Sequence, residues 1–114
     1  MNYKIINIKD EEYKLCLPMR MMVELEKKLA TNPLNALITM GENGNSMPSF
    51  EFIATVLMYA LKKHHPKMDI NKTYDLIDEY LEQGNDLTDL IALTLAVFEV
   101  SGYFRANNIE QPKK

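Results

Sequence analysis

The side chains in this sequence that could do chemistry form three small groups. They are the adjacent pair His64 and His65, the single Cys16, and the four carboxylates Asp75, Asp78, Glu79 and Glu82. Imidazole and thiolate groups bind transition metals or act in nucleophilic catalysis, whereas clustered carboxylates bind hard cations or transfer protons. The spacing within each group decides which of these chemistries is expected.

The histidines and the cysteine do not form a recognisable site. Neighbouring helical residues point about 100° apart, so His64 and His65 diverge, and no third ligand follows them within the same helix, which Pro66 ends. The basic end of a helix before Pro66 explains the pair more simply. No serine or cysteine lies in a local nucleophile motif. We therefore predict a protein that is not an enzyme, with no cofactor and no metal, in which Cys16 packs within a strand.

The carboxylates leave three interpretations open. On a helical wheel they fill an arc of about 100°, separate from an apolar arc of about 160°. The apolar arc consists of Tyr74, Leu76, Ile77, Tyr80 and Leu81. Like charges at these spacings destabilise a helix by about 0.2 to 0.5 kcal/mol per pair, and no lysine lies within the arc to relieve them. The acidic arc is a solvated face, a docking surface for a basic partner, or a site for a hard cation.

Length and composition indicate one globular domain. The chain has 114 residues, of which 46% are hydrophobic and 25% charged, and a net charge of −3. One cysteine favours a reducing compartment, and no signal peptide or membrane-length apolar run is present, so we expect a cytoplasmic protein without a membrane segment. Seven acidic residues against one base within 69–89 argue against binding to nucleic acid.

Apolar periodicity predicts a mainly α fold of the α+β class, with an N-terminal β-hairpin followed by a bundle of four to five helices. Strands are predicted at 3–8 and 13–17, joined by the polar residues 9–12. Helices are predicted at 19–30, 34–40, 49–64, 71–84 and 86–104, with caps at Ser49, Asn71 and Asp86 and a terminal glycine at Gly84. Within one domain over 1–114, the hairpin takes 1–17, the bundle 18–105 and a flexible tail 106–114, and 41–48 is a mobile loop.

The predicted helices 49–64 and 86–104 are more apolar than a one-sided amphipathic helix, so we expect the core or a partner to cover them, and they are the preferred interface. Eight methionines fill an irregular core or form an adaptable surface. The predicted contact residues are Met22, Leu25, Phe50, Phe52, Asp75, Asp78, Glu79, Glu82, Tyr103 and Phe104.

Five short segments follow one another in a recognisable order. They are Tyr13-Lys14-Leu15-Cys16-Leu17, Glu26-Lys27-Lys28-Leu29, Asn32-Pro33-Leu34, Tyr74-Asp75-Leu76-Ile77-Asp78-Glu79-Tyr80-Leu81 and Ser101-Gly102-Tyr103-Phe104. As an ordered set they resemble the small tail assembly chaperones of long-tailed phages and prophages of Gram-positive bacteria. Ala30 stands where that family more often has glycine.

The resemblance implies a non-enzymatic chaperone that binds the tape-measure protein during tail assembly and is absent from the finished virion. It implies the tail tube protein as a second candidate partner, and a longer form made by ribosomal frameshifting near Lys113-Lys114. Self-association through the hairpin edge or apolar helix faces is a related expectation. The alternative is a small phage or prophage regulatory protein that binds nucleic acid or another regulator.

Overall fold

The computed structural model describes residues 2–36 and 47–104, which form an antiparallel hairpin followed by helices. The strands are β1 (Lys4–Ile8) and β2 (Glu11–Leu15), and the long helices are α1 (Met19–Leu29), α2 (Phe50–Lys62), α3 (Ile70–Glu82) and α4 (Leu87–Val100). Residues 33–36 are also helical, which gives five helical segments in the described part of the chain. The predicted class, a hairpin before a helical bundle, is confirmed.

The hairpin turns over two residues, where the sequence predicted a connection of four. Lys9 and Asp10 have φ values of 50° and 69°, as a type I′ turn requires at both central positions. Ile8 therefore pairs directly with Glu11, and Glu12 also belongs to β2. The prediction was wrong because β2 begins directly after the turn, where both glutamates are exposed, and exposed strand positions accept charged side chains.

The outer edge of β2 is covered by the C-terminal end of α2. The backbone N–H of Lys14 donates to Nε2 of His65 at 3.2 Å, and the N–H of Cys16 donates to the carbonyl of Ala60 at 3.0 Å. An open strand edge is a template for pairing with another chain, and these two bonds occupy it. Cys16 is 0% exposed here, and burial raises the pKa of its thiol.

Leu17, between the hairpin and α1, is held through both backbone groups by the end of α4. Its N–H donates to Oγ of Ser101 at 2.7 Å, and its carbonyl accepts from the Tyr103 hydroxyl at 2.8 Å. The Ser101 hydroxyl donates in turn to the carbonyl of Val97 at 2.7 Å. The hairpin is therefore tied to the last helix as well as to α2.

The hydrophobic core centres on α2. Every residue of this helix from Phe52 to Leu57 is buried, as are Ala60 and Leu61. Side chains from the hairpin, α1 and α4 surround it, namely Leu15, Leu17, Met22, Leu25, Leu90, Leu93, Val97 and Phe98. From Phe52 onward the apolar excess of α2 is thus largely covered by the same chain. The choice of this helix as a preferred interface stays a prediction.

The predicted caps of α2 and α4 are both present. The hydroxyl of Ser49 accepts from the N–H of Phe52 at 3.0 Å. Asp86 forms a capping box with Asp89, in which each carboxylate accepts from the backbone N–H of the other residue. The reciprocal bonds satisfy donors that a helix start otherwise leaves without partners.

The cap of α3 is Asp69, two residues before the predicted Asn71. One Asp69 carboxylate oxygen accepts from the N–H of Lys72 at 2.8 Å. The prediction was wrong because aspartate and asparagine cap helices about equally well, and both types stand close together here.

Left-handed residues end three of the helices. Gly84 follows α3 with φ 110°, as predicted, and Gly102 follows α4 with φ 96°. Gly102 stops α4 at Val100, before the predicted end near residue 104, because glycine adopts positive φ at little cost. Ala30 does the same after α1 with φ 59° and ψ 27°, although it carries a Cβ.

Three predictions concern residues outside the described ranges: the helical turns at 37–40, most of the loop at 41–48, and the tail at 106–114. The described elements share one hydrophobic core. A single domain over all of 1–114 stays a prediction.

Candidate partner-binding surface

The apolar arc of α3 is only partly covered by the core. Leu76, Ile77 and Tyr80 pack against the core cluster. Tyr74 and Leu81 lie at one edge of the arc, two helical turns apart, and remain 46% and 37% exposed. This edge of α3 therefore presents apolar surface to solvent.

A groove of about 460 Å³ runs beside this edge, between α3 and the first turns of α2 and α4. We call it the Phe50 groove. It is lined by Phe50, Glu51, Ile53, Ala54, Tyr74, Ile77, Asp78, Leu81, Leu87 and Leu90. All of these except Glu51 and Asp78 are apolar or aromatic, and the volume lies in the range of about 300 to 1,000 Å³ that is usual for binding pockets.

Phe50 is exposed because of its position in α2. It lies on the same helical face as Leu57 and Leu61, about two and three turns further on, and both of those are buried. Phe50, however, is the first residue of the helix and remains 65% exposed. The Ser49 cap fixes the helix start directly before it, so the apolar stripe of α2 continues past the core and ends in the groove.

The charged groups that line the groove are acidic. Glu51 and Asp78 are its lining carboxylates, and within 2–36 and 47–104 no basic residue lines it. Asp75 and Glu82 are exposed on α3, one turn before and one turn after Asp78. Among the residues that the structure describes, none of these four carboxylates takes part in an ion pair.

Glu79 is the member of the acidic arc that faces away from the groove. Its carboxylate lies 3.6 Å from Nζ of Lys9, at the tip of the hairpin, with side-chain exposures of 34% and 66%. Exposed pairs of this kind contribute about 0 to 1 kcal/mol. The helical wheel of α3 could not show this contact, because Lys9 lies in the hairpin, far earlier in the sequence.

Three of the predicted contact residues lie in the core. Met22 and Phe52 are 8% exposed and Leu25 is 0% exposed. Their surfaces are already used by packing within the chain, so a partner could reach them only if the core opened. Contact of these three residues with a partner stays a prediction: their periodicity identified a buried face but not what covers it.

Tyr103 and Phe104 lie beyond α4 and are half-buried against the core. Besides its hydrogen bond to Leu17, the ring of Tyr103 packs edge-on against Phe98 with ring centroids 6.4 Å apart. Burial raises the pKa of Tyr103. The structure gives Tyr103 a structural role and places neither residue on the Phe50 groove.

Sequence reasoning found Phe50 and Asp78 but missed the rest of the groove. Tyr74 and Leu81 were assigned to the apolar arc of α3, with no means of telling which edge of the arc stays open. Leu87 is the first residue of α4 and gave no separate signal. The available signal was the width of the apolar arc, about 160°, which exceeds the stripe of about 100° that one neighbour needs.

The histidines serve the hairpin. His65 accepts the Lys14 hydrogen bond, and the ring of His64 packs edge-on against Tyr3 at 5.2 Å. Burial, followed by the neighbouring His64, lowers the pKa of His65. Within residues 2–36 and 47–104, no three His, Cys, Asp or Glu side chains come together as a metal site.

A small space of about 20 Å³ lies between the hairpin, α2, α3 and α4. Ile6, Leu57 and Leu93 are among its mostly apolar lining residues. A space of this size holds one water at most, so it is a packing defect and not a ligand site.

A scan against protein-family models found no match for this chain, and searches of curated proteins and of solved structures found none either. Every helix in the described ranges is too short or too polar to cross a membrane.

Proposed function

We propose that this protein is a tail assembly chaperone of a long-tailed phage or prophage, a non-enzymatic protein that binds the tape-measure protein while the tail tube forms. It acts in the bacterial cytoplasm and leaves before the virion is complete. The observation that carries the proposal is the Phe50 groove, where Phe50, Tyr74 and Leu81 are exposed beside carboxylates that have no ion-pair partners among the described residues.

The segments that carry the family resemblance lie at structurally decisive places. Tyr13 to Leu17 form the end of β2 and the junction that Ser101 and Tyr103 hold. Residues 26–29 end α1, and residues 74–81 form most of α3, including the open edge that lines the groove. The resemblance is therefore located in residues that build the fold and in one wall of the candidate site.

The groove suits reversible binding of a helical client. A tape-measure protein is long and helical, and its apolar surface needs cover until the tube encloses it. An amphipathic helix binds in an apolar groove through residues at i, i+3, i+4 and i+7. Exposed aromatic side chains such as Phe50 and Tyr74 provide large contact area, which is typical of the residues that dominate binding energy.

Co-expression with the tape-measure protein tests the proposal. The partner is the product of the very long reading frame expected downstream of this gene, and the tail tube protein is tested in parallel. We expect the tape-measure protein to copurify with this chain and to become more soluble in its presence. Failure of the tape-measure protein to bind would refute the proposal, and tight, salt-sensitive binding to DNA would favour the regulatory alternative.

A further inference from the structure

We propose that the Phe50 groove binds one amphipathic helix whose apolar stripe is flanked by lysine or arginine. The stripe packs on Phe50, Tyr74 and Leu81, and the basic residues face Glu51 and Asp78. This inference rests on the proposed function, which requires a helical client, and adds the site and the chemistry of the segment that is recognised.

The lining of the groove favours a protein segment over a small molecule. Small-molecule pockets usually enclose a few converging polar groups that fix the orientation of the ligand. Here the charged lining groups are two carboxylates, both on exposed residues, and the walls are apolar and aromatic side chains from three helices. Such a surface selects for an apolar stripe and for charge at its border.

The charge around the groove selects a basic segment. Asp75 and Glu82 extend the acidity of Asp78 along the exposed side of α3, and Lys9 reaches only Glu79, on the far side. These like charges repel one another when the groove is empty. A basic helix would convert that repulsion into attraction, and an acidic helix would increase it.

The same charges disfavour a second copy of this chain as the occupant. A twofold dimer formed through the groove would bring two copies of α3 together. The Asp78 carboxylates and their neighbours would then face each other without an intervening base, which penalises that pairing.

Three designed peptides of about 18 residues, five helical turns, test the inference against the full-length protein by fluorescence anisotropy. The first has an apolar stripe flanked by lysines, the second replaces the lysines with glutamates, and the third keeps the lysines but has a central proline that breaks the helix. We expect the lysine peptide to bind at least about 10-fold more tightly than the other two, and its affinity to fall as salt is raised.

Two variants locate the site. Phe50→Ser removes an exposed ring and should weaken binding of the lysine peptide about 10-fold or more, whereas Glu51→Lys with Asp78→Lys should reverse the preference between the lysine and glutamate peptides. The matched controls are Met19→Ser, another exposed apolar residue at a helix start, and Glu24→Lys with Glu26→Lys on α1. Both controls should bind as the wild type does.

Equal binding of the lysine and glutamate peptides, or unchanged affinity in Phe50→Ser, would overturn the inference. So would a wild-type dimer that Phe50→Ser converts to monomers, because the occupant would then be a second copy. If the tape-measure protein binds wild type and Phe50→Ser alike, the groove inference fails and the proposed function stands. If the lysine peptide binds the groove and the tape-measure protein does not bind, the proposed function fails instead.

Discussion

Ala30 holds a backbone conformation that suits glycine. Its φ of 59° and ψ of 27° place it in the left-handed region, where a Cβ costs about 1 to 2 kcal/mol. Replacing alanine by glycine also increases the conformational entropy of the unfolded chain, which offsets about 0.4 to 1 kcal/mol of the strain that is relieved. We therefore predict that Ala30→Gly raises the free energy of unfolding by about 0.5 to 1 kcal/mol, measured by urea denaturation at constant m-value.

The control is Gly84→Ala, the reverse substitution at another position with positive φ. Gly84 has φ 110°, and a Cβ built there would meet nothing within 4 Å, so the substitution changes only the backbone preference. It should lower the free energy of unfolding by about 1 kcal/mol. If Ala30→Gly were neutral or destabilising while Gly84→Ala behaved as expected, local contacts and not the left-handed backbone would determine the end of α1.

At the residue scale, the sequence indicated which aromatic and apolar residues matter but not which of them are exposed to solvent. Phe50 and Phe52 are two positions apart, and both were predicted to contact a partner. One is 65% exposed and the other 8%, because the second points into the core while the first lies beyond its end. The local sequence does not show this difference in exposure, because it depends on how far α3 and α4 extend along α2.

His65 makes the contact between the hairpin and α2 sensitive to acid. Its Nε2 accepts the Lys14 N–H, so the bond needs the neutral imidazole. Burial and His64 lower the pKa of His65, with Lys14 in the same direction and Glu11 opposing. The unfolded state, with a pKa near 6.5, therefore takes up the proton first as pH falls, and this destabilises the fold.

We predict that the His65 contribution to stability is complete above about pH 6.5 and is lost as pH falls from there through the lower folded pKa. His65→Gln keeps an acceptor that does not titrate, so it should flatten this part of the stability profile, measured by urea unfolding between pH 7 and 5. His64→Gln is the matched control and should retain most of the slope. An unchanged slope in His65→Gln would show that other groups cause the acid sensitivity.

At the element scale, two of the three predicted helix caps were correct. Ser49 and Asp86 both cap the helices that follow them. Asp69 and Asn71 compete within one segment, and the choice between them depends on how α3 packs. The two-residue turn at Lys9 and Asp10 was missed because neither residue is the glycine or asparagine that usually marks a type I′ turn.

At the scale of the whole molecule, the hairpin and the helices share one core, although an isolated hairpin is only marginally stable. Ile8 is 2% exposed and lines the small space of about 20 Å³ together with residues of α2, α3 and α4. Ile5, in the same strand, is 41% exposed. The two residues have the same side chain, so they separate the contribution of burial from that of strand propensity.

We predict that Ile8→Ala costs about 2 to 5 kcal/mol and that Ile5→Ala costs less than about 1 kcal/mol. The measurement is urea unfolding followed by far-ultraviolet circular dichroism, which reports on helices, and by tyrosine fluorescence. In both variants the two signals should change together, as one cooperative unit requires. A separate early transition in Ile8→Ala would show that the hairpin unfolds independently of the helices.

The candidate groove is also a property of the whole molecule. Its walls come from three helices, and its open edge exists because α3 is apolar over a wider arc than its neighbours cover. The sequence indicated that width and the adjacent carboxylates. It could not indicate that Leu87 and Phe50, far apart in the chain, lie beside the same edge, because only the packing of α4 against α2 brings them together.

The burial of Cys16 has a practical consequence. The chain has one cysteine, and in the folded protein it is buried at the junction where its backbone N–H bonds to Ala60 of α2. An alkylating reagent can modify Cys16 only while that junction is open. The rate of alkylation therefore measures how often the junction opens. Mass spectrometry of the wild-type protein during alkylation can thus follow opening at this junction, with no introduced dye or mutation.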